Sequence, residues 1–459
     1  MKTENNIIIE PARETPVYKE TDVLVVGGGP AGIMAALAAA ESGRRVVLAE
    51  SRSHVGGNLT LGLPILGFLS QKKELIIKGL PQKLMERLKA KGAASDHQPC
   101  PLHVSLTIVD PEVIKTEAMA MLLEAGVEIL LHTMFADAIV EDGKIKGCIF
   151  QGKGRREAIL AGQVVDCTGD GDVAFQAGAP CEKGDAGGGM QPPTLMFRLD
   201  NVDTDKLRKS IAGQPGVYQM DFIPPDYFGQ NSRFITVGLR NLIEKARADG
   251  VKVPTDRTII ITGIRKGEAW INMTRVKEID GSDSHSLTDG EIIARQQIDG
   301  IVKYLTGYVP GFENAWFSMT SPFLGIRESR RVVGQYMLNR DDLLSCGKFA
   351  DAVAVGSYPI DIHRPNDNDC TLEWCGDCYD IPYRSLVPQK IENLLIAGRC
   401  IGTTHEAMAA TRVMSTCMAI GEAAGRAAAM CAADGITPAA LDVKKLREAL
   451  RASGAYLRS

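Results

Sequence analysis

Residues 23–50 read VLVVGGGPAGIMAALAAAESGRRVVLAE, and the reading of this stretch decides the fold. Val23 to Val26 form a short apolar run of the kind buried in a parallel sheet. Gly27, Gly29 and Gly32 follow at the G-x-G-x-x-G spacing, with Pro30 and Ala31 inside it. The first glycine permits a tight turn, the second lets a phosphate approach the backbone, and the third lets helix and strand pack closely. The alanine-rich segment that follows is a strong helix former. Its N-terminus offers unpaired N–H groups and the positive end of the helix dipole to an anion. Gly43 stops this helix, Arg45 to Ala49 make a second strand, and Glu50 closes it. A carboxylate roughly 20 residues past the glycines accepts hydrogen bonds from ribose hydroxyls and repels a 2′-phosphate. The unit therefore predicts an adenine dinucleotide with a free ribose, its pyrophosphate at the turn.

The chain has 459 residues, 45% of them hydrophobic and 24% charged, with a net charge of −4. That length predicts two or three connected domains of a soluble globular protein. No basic excess points to nucleic acid. Ala35 to Ala40 belong to the motif helix between polar flanks, so no membrane span is expected, and the N-terminal residues lack a signal-peptide core. Eleven cysteines without regular spacing read as reduced thiols, which predicts a cytoplasmic protein.

Beyond the motif, residues about 60–105 interrupt the nucleotide fold. Asp110-Pro111 starts a helix to about Ala125, and VEILLH returns as a strand. Short strands then run from Phe135 to Cys167 as a β-meander, a habit of FAD domains rather than of simple NAD domains. Residues 194–200 and 257–275 alternate like strands, and Thr288 with Glu291 makes a capping box for a helix to about Leu305. The expected architecture is α/β. A Rossmann-like FAD-binding domain with a parallel sheet and β-meander (residues 20–185 and 381–435) carries an inserted α+β substrate domain (186–380) and a C-terminal helix (436–459). A long small-residue helix is expected from about Ala407 to Ala433. Thr168-Gly169-Asp170-Gly171 imitates a second glycine motif, but Asp170 and Asp172 would set two negative charges beside a pyrophosphate.

Four segments carry a family resemblance: the glycine motif, DCTGDGDVA, GIRESRRVVGQY, and YDIPYRSLVP with ENLLIAGRCIGTTHEAMAATRVM. With them the chain resembles FAD-dependent oxidoreductases of the glutathione-reductase-type fold, especially the heterodisulfide reductase A-like and fumarate reductase-like flavoproteins. The resemblance implies FAD as cofactor. It sets Thr168 and Gly169 at the adenosine half and Gly398 and Arg399 beside the ribityl and pyrophosphate region. It also points the N-terminus of the helix carrying Met408 at the flavin. Arg399 stands where many relatives have an acidic residue, which suggests a phosphate contact. Gly56, Gly57 and Asn58 form a loop near the flavin or an ordinary turn.

For the chemistry, Arg327 and Arg331 share a face if GIRESRR is a strand, and they either bind a carboxylate bidentately or form ion pairs. His405 and His363 are the candidate proton donors or acceptors, with Tyr383 in the same role. Cys370, Cys375 and Cys378 are ordinary thiols, iron–sulfur ligands or a dithiol relay. The expected activity is hydride transfer between a small organic substrate, anionic or hydroxylated, and an external redox partner. The rival reading is a flavoprotein electron-transfer subunit with a cysteine relay. No nucleic-acid or membrane partner is expected, and a homo-oligomer is left open.

Overall fold

The computed structural model describes residues 3–4, 7–8, 10–365, 368 and 370–458. Its first domain is built around a seven-stranded sheet. Strand β1 (Val17–Val26) enters the sheet, and α1 (Pro30–Glu41) and β2 (Val46–Ala49) complete the motif. Helix α2 (Pro111–Glu124) is capped by the Asp110 carboxylate, which accepts from the Glu112 and Val113 amides. It leads to β3 (Glu128–Leu130), β4 (Met134–Glu141), β5 (Lys144–Gln151) and β6 (Arg156–Asp166). The order is β3-β2-β1-β6-β5-β4, with β1, β2, β3 and β6 parallel and β4 to β6 an antiparallel meander. One edge of β6 pairs with β5 over its first half and with Leu394–Ile396 over its last residues, Val164 to Asp166.

The second domain has its own core on a five-stranded antiparallel sheet. Its strands are β7 (Phe197–Asp200), β8 (Ile235–Gly238), β9 (Thr258–Thr262) and β10 (Ala269–Ile271), and α3 (Ser284–Tyr308) precedes the edge strand β11 (Trp316–Thr320). Helix α3 begins earlier than the Thr288 capping box suggests, because the Asp283 carboxylate accepts from the Ser286 amide and caps it. The buried side chains of this core end at Leu324, and those of the first core resume at Val332, well before residue 381. The interrupting segment contributes a small three-stranded sheet, and its Leu61, Leu102 and Leu106 join the second core.

Strand β12 (Arg330–Val332) returns the chain to the first domain, where β13 (Leu394–Ile396) completes the parallel sheet. The expected single helix is two: α4 (His405–Thr411) and α5 (Met414–Asp434), separated by the extended Val413. Helix α5 packs on α1 so closely that a Cβ at Gly421 or Gly425 would run into the carbonyl of Ala31 or Ala35. Alanine-rich α1 permits this approach.

Glu422 on α5 is buried and accepts from the amide of Leu80 (3.0 Å) and the hydroxyl of Ser453 (3.0 Å). Burial pushes its carboxyl up to about 6 from its ordinary value of 4.5. Because the folded-state value is the higher, its contribution is fully present below pH 4.5 and is lost as pH rises through about 6. Glu422→Gln, which keeps an acceptor for Leu80, is expected to gain about 2 kcal/mol relative to the parent across that window. Paired urea titrations at pH 4.5 and 7 read this; a pH-independent difference would refute it.

Candidate functional site

The glycine turn is built as its spacing requires. Gly27 has φ +97°, and a Cβ there would crowd the Cys167 carbonyl. A Cβ at Gly32 would be driven into the carbonyl oxygen of Gly27. Gly29, with φ −75°, faces open space and has nothing within 4 Å of its Cβ position. It is also the N-cap of α1 and supplies no side-chain cap, and the first turn carries no acidic residue. These amides are thus left to an anion.

They open into a cleft of about 560 Å³, lined by Gly27, Gly29, Pro30, Ala31, Glu50, Gly57, Asn58, Thr168, Gly169, Gly398 and Arg399. Gly56 and Gly32 shape the turns but do not line it. Glu50 uses one oxygen to accept from the Gly28 amide (2.7 Å) and the other from the Arg52 amide (2.9 Å) and the Ser51 hydroxyl (3.1 Å). A carboxylate has about four lone-pair sites, so capacity for ribose remains. The second domain supplies the facing wall, where Arg52 stacks on Phe323 at 3.5 Å from the ring centroid. Arg399 reaches Asp170 (2.5 Å) and the carbonyls of Gly169 and Ile326, so its charge is met by a carboxylate rather than reserved for a phosphate. Arg330 pairs with Asp172 at 2.8 Å. Burial, then Asp170 and Asp166, push the Asp172 carboxyl up to about 6. The open Gly29 position, the uncapped amides and the long cleft across both domains fit an extended FAD.

A smaller cavity, about 180 Å³, lies between the β-sheet of the second domain and residues 358–363. The two cavities share Asn58, Ile326, Arg412 and Met414 as walls. Arg327 and His363, both expected at the site, line the smaller one, together with Arg275, Tyr358 and Asp361. Arg327 donates to the Pro192 carbonyl and the Thr194 hydroxyl (2.7 Å). Burial, then Arg412 and Arg275, pull its guanidinium down to about 9. His363 has Asp361 at 3.5 Å from Nε2 and Arg275 at 3.4 Å from Nδ1. Burial, then Arg327, lower this imidazole to about 4, so it is neutral at physiological pH. Burial alone would raise the Asp361 carboxyl, but His363, Arg412 and His103 outweigh it and hold it below the usual carboxylate range.

Other expected residues sit elsewhere. Arg331 is buried and bonded to Glu328 (2.7 Å), the Gly184 carbonyl and the Thr403 carbonyl, because only residues 330–332 are strand and Arg327 does not share its face. His405 also bonds Glu328, through Nδ1 at 2.8 Å, and lines neither cavity. Tyr383 is buried in the first core, its hydroxyl on the Pro438 carbonyl at 3.0 Å. Met408 is buried within α4, and Arg412 and Met414 take the place expected for it. Cys370 lines the smaller cavity at 3.2 Å from Arg257, whereas Cys375 and Cys378 are buried away from it beside Cys346, whose sulfur accepts from the Asp377 amide at 3.3 Å. Among the described residues no group of three or more His, Cys, Asp or Glu is arranged to hold a metal, and no helix is long and apolar enough to cross a membrane. Sequence reasoning missed Arg412 and Asp361. Arg412 had one signal, a lone cation interrupting a run of small residues.

The sequence model of the family described as FAD dependent oxidoreductase matches residues 22–450. The chain is 29% identical over 207 residues to the thiamine thiazole synthase of Aeropyrum pernix, covering 43% of this chain and 71% of that protein. It is 29% identical over 139 residues to the digeranylgeranylglycerophospholipid reductase of Methanoculleus marisnigri, covering 28% of this chain and 33% of that protein. The structure of a geranylgeranyl bacteriochlorophyll reductase-like protein from Thermoplasma acidophilum aligns with a TM-score of 0.49 at 13% identity, over 95% of this chain and 84% of that one.

Proposed function

The chain belongs to the FAD-dependent oxidoreductase family, and on that premise we propose that it moves two electrons between a small organic substrate and an external donor or acceptor. The observation that carries this reading is the wall common to the two cavities, formed by Asn58, Ile326, Arg412 and Met414. A substrate in the smaller cavity would meet the dinucleotide cleft at that wall. FAD, when bound, supplies a hydride acceptor or donor.

The protein's own part is binding, orientation and proton handling. The α1 amides and Glu50 would hold the diphosphate and ribose. Arg327 and Arg412 would orient an anionic or hydroxylated substrate. His363 would take up or return the substrate's proton, and Asp361 beside it would stabilise the imidazolium that forms.

The test is an absorption spectrum of the pure protein, followed by anaerobic screening of small acids and alcohols for bleaching of the flavin bands. Folded protein that neither carries nor takes up FAD would end the proposal. Once a substrate is found, His363→Asn is expected to slow its bleaching step by about 10²–10³-fold with FAD content unchanged. An unaltered single-turnover rate would remove His363 from the mechanism.

A further inference from the structure

We propose that the smaller cavity is a subsite for a monocarboxylate with an apolar body, its carboxylate seated between Arg327 and Arg412. This rests on the functional reading above and narrows its substrate class. Arg412 stands on the wall shared by both cavities. One of its nitrogens reaches the Gln191 side chain (3.4 Å) and the Asp361 carbonyl (3.2 Å), and a carboxylate oxygen of Asp361 is 4.0 Å away. Its Nε is buried and has no hydrogen-bond partner among the described residues.

Among the described residues, Asp361 is the one carboxylate that lines the cavity with Arg327 and Arg412. Asp361 faces both guanidinium groups, yet its Oδ2 also serves the Tyr358 hydroxyl (3.2 Å) and His363 (3.5 Å). The mutual repulsion registers at Arg327, which burial and then Arg412 and Arg275 hold down to about 9. An anion between the two would relieve the repulsion. A planar carboxylate matches the fork of donors that a guanidinium presents.

The rest of the lining decides the body of the ligand. Leu63, Leu66, Leu102, Ile235, Val237 and Ile259 form an apolar surface, which favours hydrocarbon and penalises an unpaired polar group. Arg257 also lines the cavity, but its Nε is bonded to Asp221 at 2.7 Å. A carboxylate on Arg412 therefore sets the adjoining carbon nearest the wall shared with the dinucleotide cleft.

The experiment titrates the holoprotein with benzoate, benzamide and succinate by calorimetry, with the flavin difference spectrum as a second readout. Benzoate is expected to bind saturably, and benzamide about 30-fold more weakly or worse, as the loss of a charge-assisted pair implies. Arg327→Gln and Arg412→Gln should each weaken benzoate by a similar factor while leaving benzamide unchanged. Equal affinity for acid and amide, or variants that bind benzoate like the parent, would overturn the subsite. Succinate binding more tightly than benzoate would overturn its monocarboxylate character. A yellow protein indifferent to benzoate defeats this inference alone, whereas a colourless protein that still prefers benzoate defeats the flavin reading and supports the subsite.

Discussion

Gly29→Val is expected to give a folded but colourless protein, while its near neighbour Gly32→Ala gives little folded protein. The contrast follows from what each Cβ would meet. Gly29 is extended, at φ −75° and ψ −168°, a conformation any residue adopts, and its side-chain direction is open space in the cleft. Valine there costs the fold little, on the order of 0.5 kcal/mol for an exposed change. It fills the volume through which a diphosphate must reach the α1 amides, so FAD affinity should fall about 100-fold or more, as expected when charge-assisted contacts are lost. At Gly32 even a methyl group collides with the Gly27 carbonyl, and neither backbone can move without opening the α1–β1 packing. The cost is expected to exceed about 3 kcal/mol, beyond ordinary overpacking. FAD released per folded protein, together with urea midpoints, separates the two. A Gly29→Val protein that retains stoichiometric FAD would show that the diphosphate lies elsewhere.

Glu328→Ala is the second large effect. Its side chain is buried and holds three donors: Arg331 at 2.7 Å, His405 at 2.8 Å and the Gln191 amide at 3.1 Å. Removing it leaves the buried Arg331 without its closest counter-charge, at a cost of about 3–5 kcal/mol. Glu328→Gln, which keeps an acceptor, should fall between the two. The damage should also reach the smaller cavity, because the Gln191 side chain accepts from the His363 amide (3.2 Å) and from Arg412 (3.4 Å). Urea denaturation reads the first consequence and benzoate affinity the second. A loss below about 1 kcal/mol would be ordinary for a surface site and would mean that the ion pair is not structural.

The parts legible in the sequence were those written in local chemistry. The glycine turn, the Asp110 cap and the meander each need only their own few residues, and each stands where its pattern set it. The candidate site was legible in part, because side-chain partners are chosen by tertiary packing. Read as a strand, GIRESRR put Arg327 and Arg331 on one face; the chain is extended only from Arg330, so one enters the cavity and the other a buried ion pair. His405 looked catalytic from its place before a small-residue helix, yet Glu328, some eighty positions earlier in the chain, claims its ring. The break at Val413, which turns Arg412 toward both cavities, had no proline or glycine to announce it. Cys346 lies about thirty residues from the Cys375 turn, so no spacing rule could have joined them.

The double pairing of β6 has a consequence for synthesis. Until residues 394–396 leave the ribosome, Val164 to Asp166 present a bare hydrogen-bonding edge, and α1 lacks the helix that covers it at Gly421 and Gly425. The nucleotide pocket is therefore closed only by segments translated long after β6. Between the emergence of β6 and that of residues 394–396 a nascent chain carries an exposed template for strand addition, so chaperone demand should peak before residue 394 and fall sharply once α5 has docked.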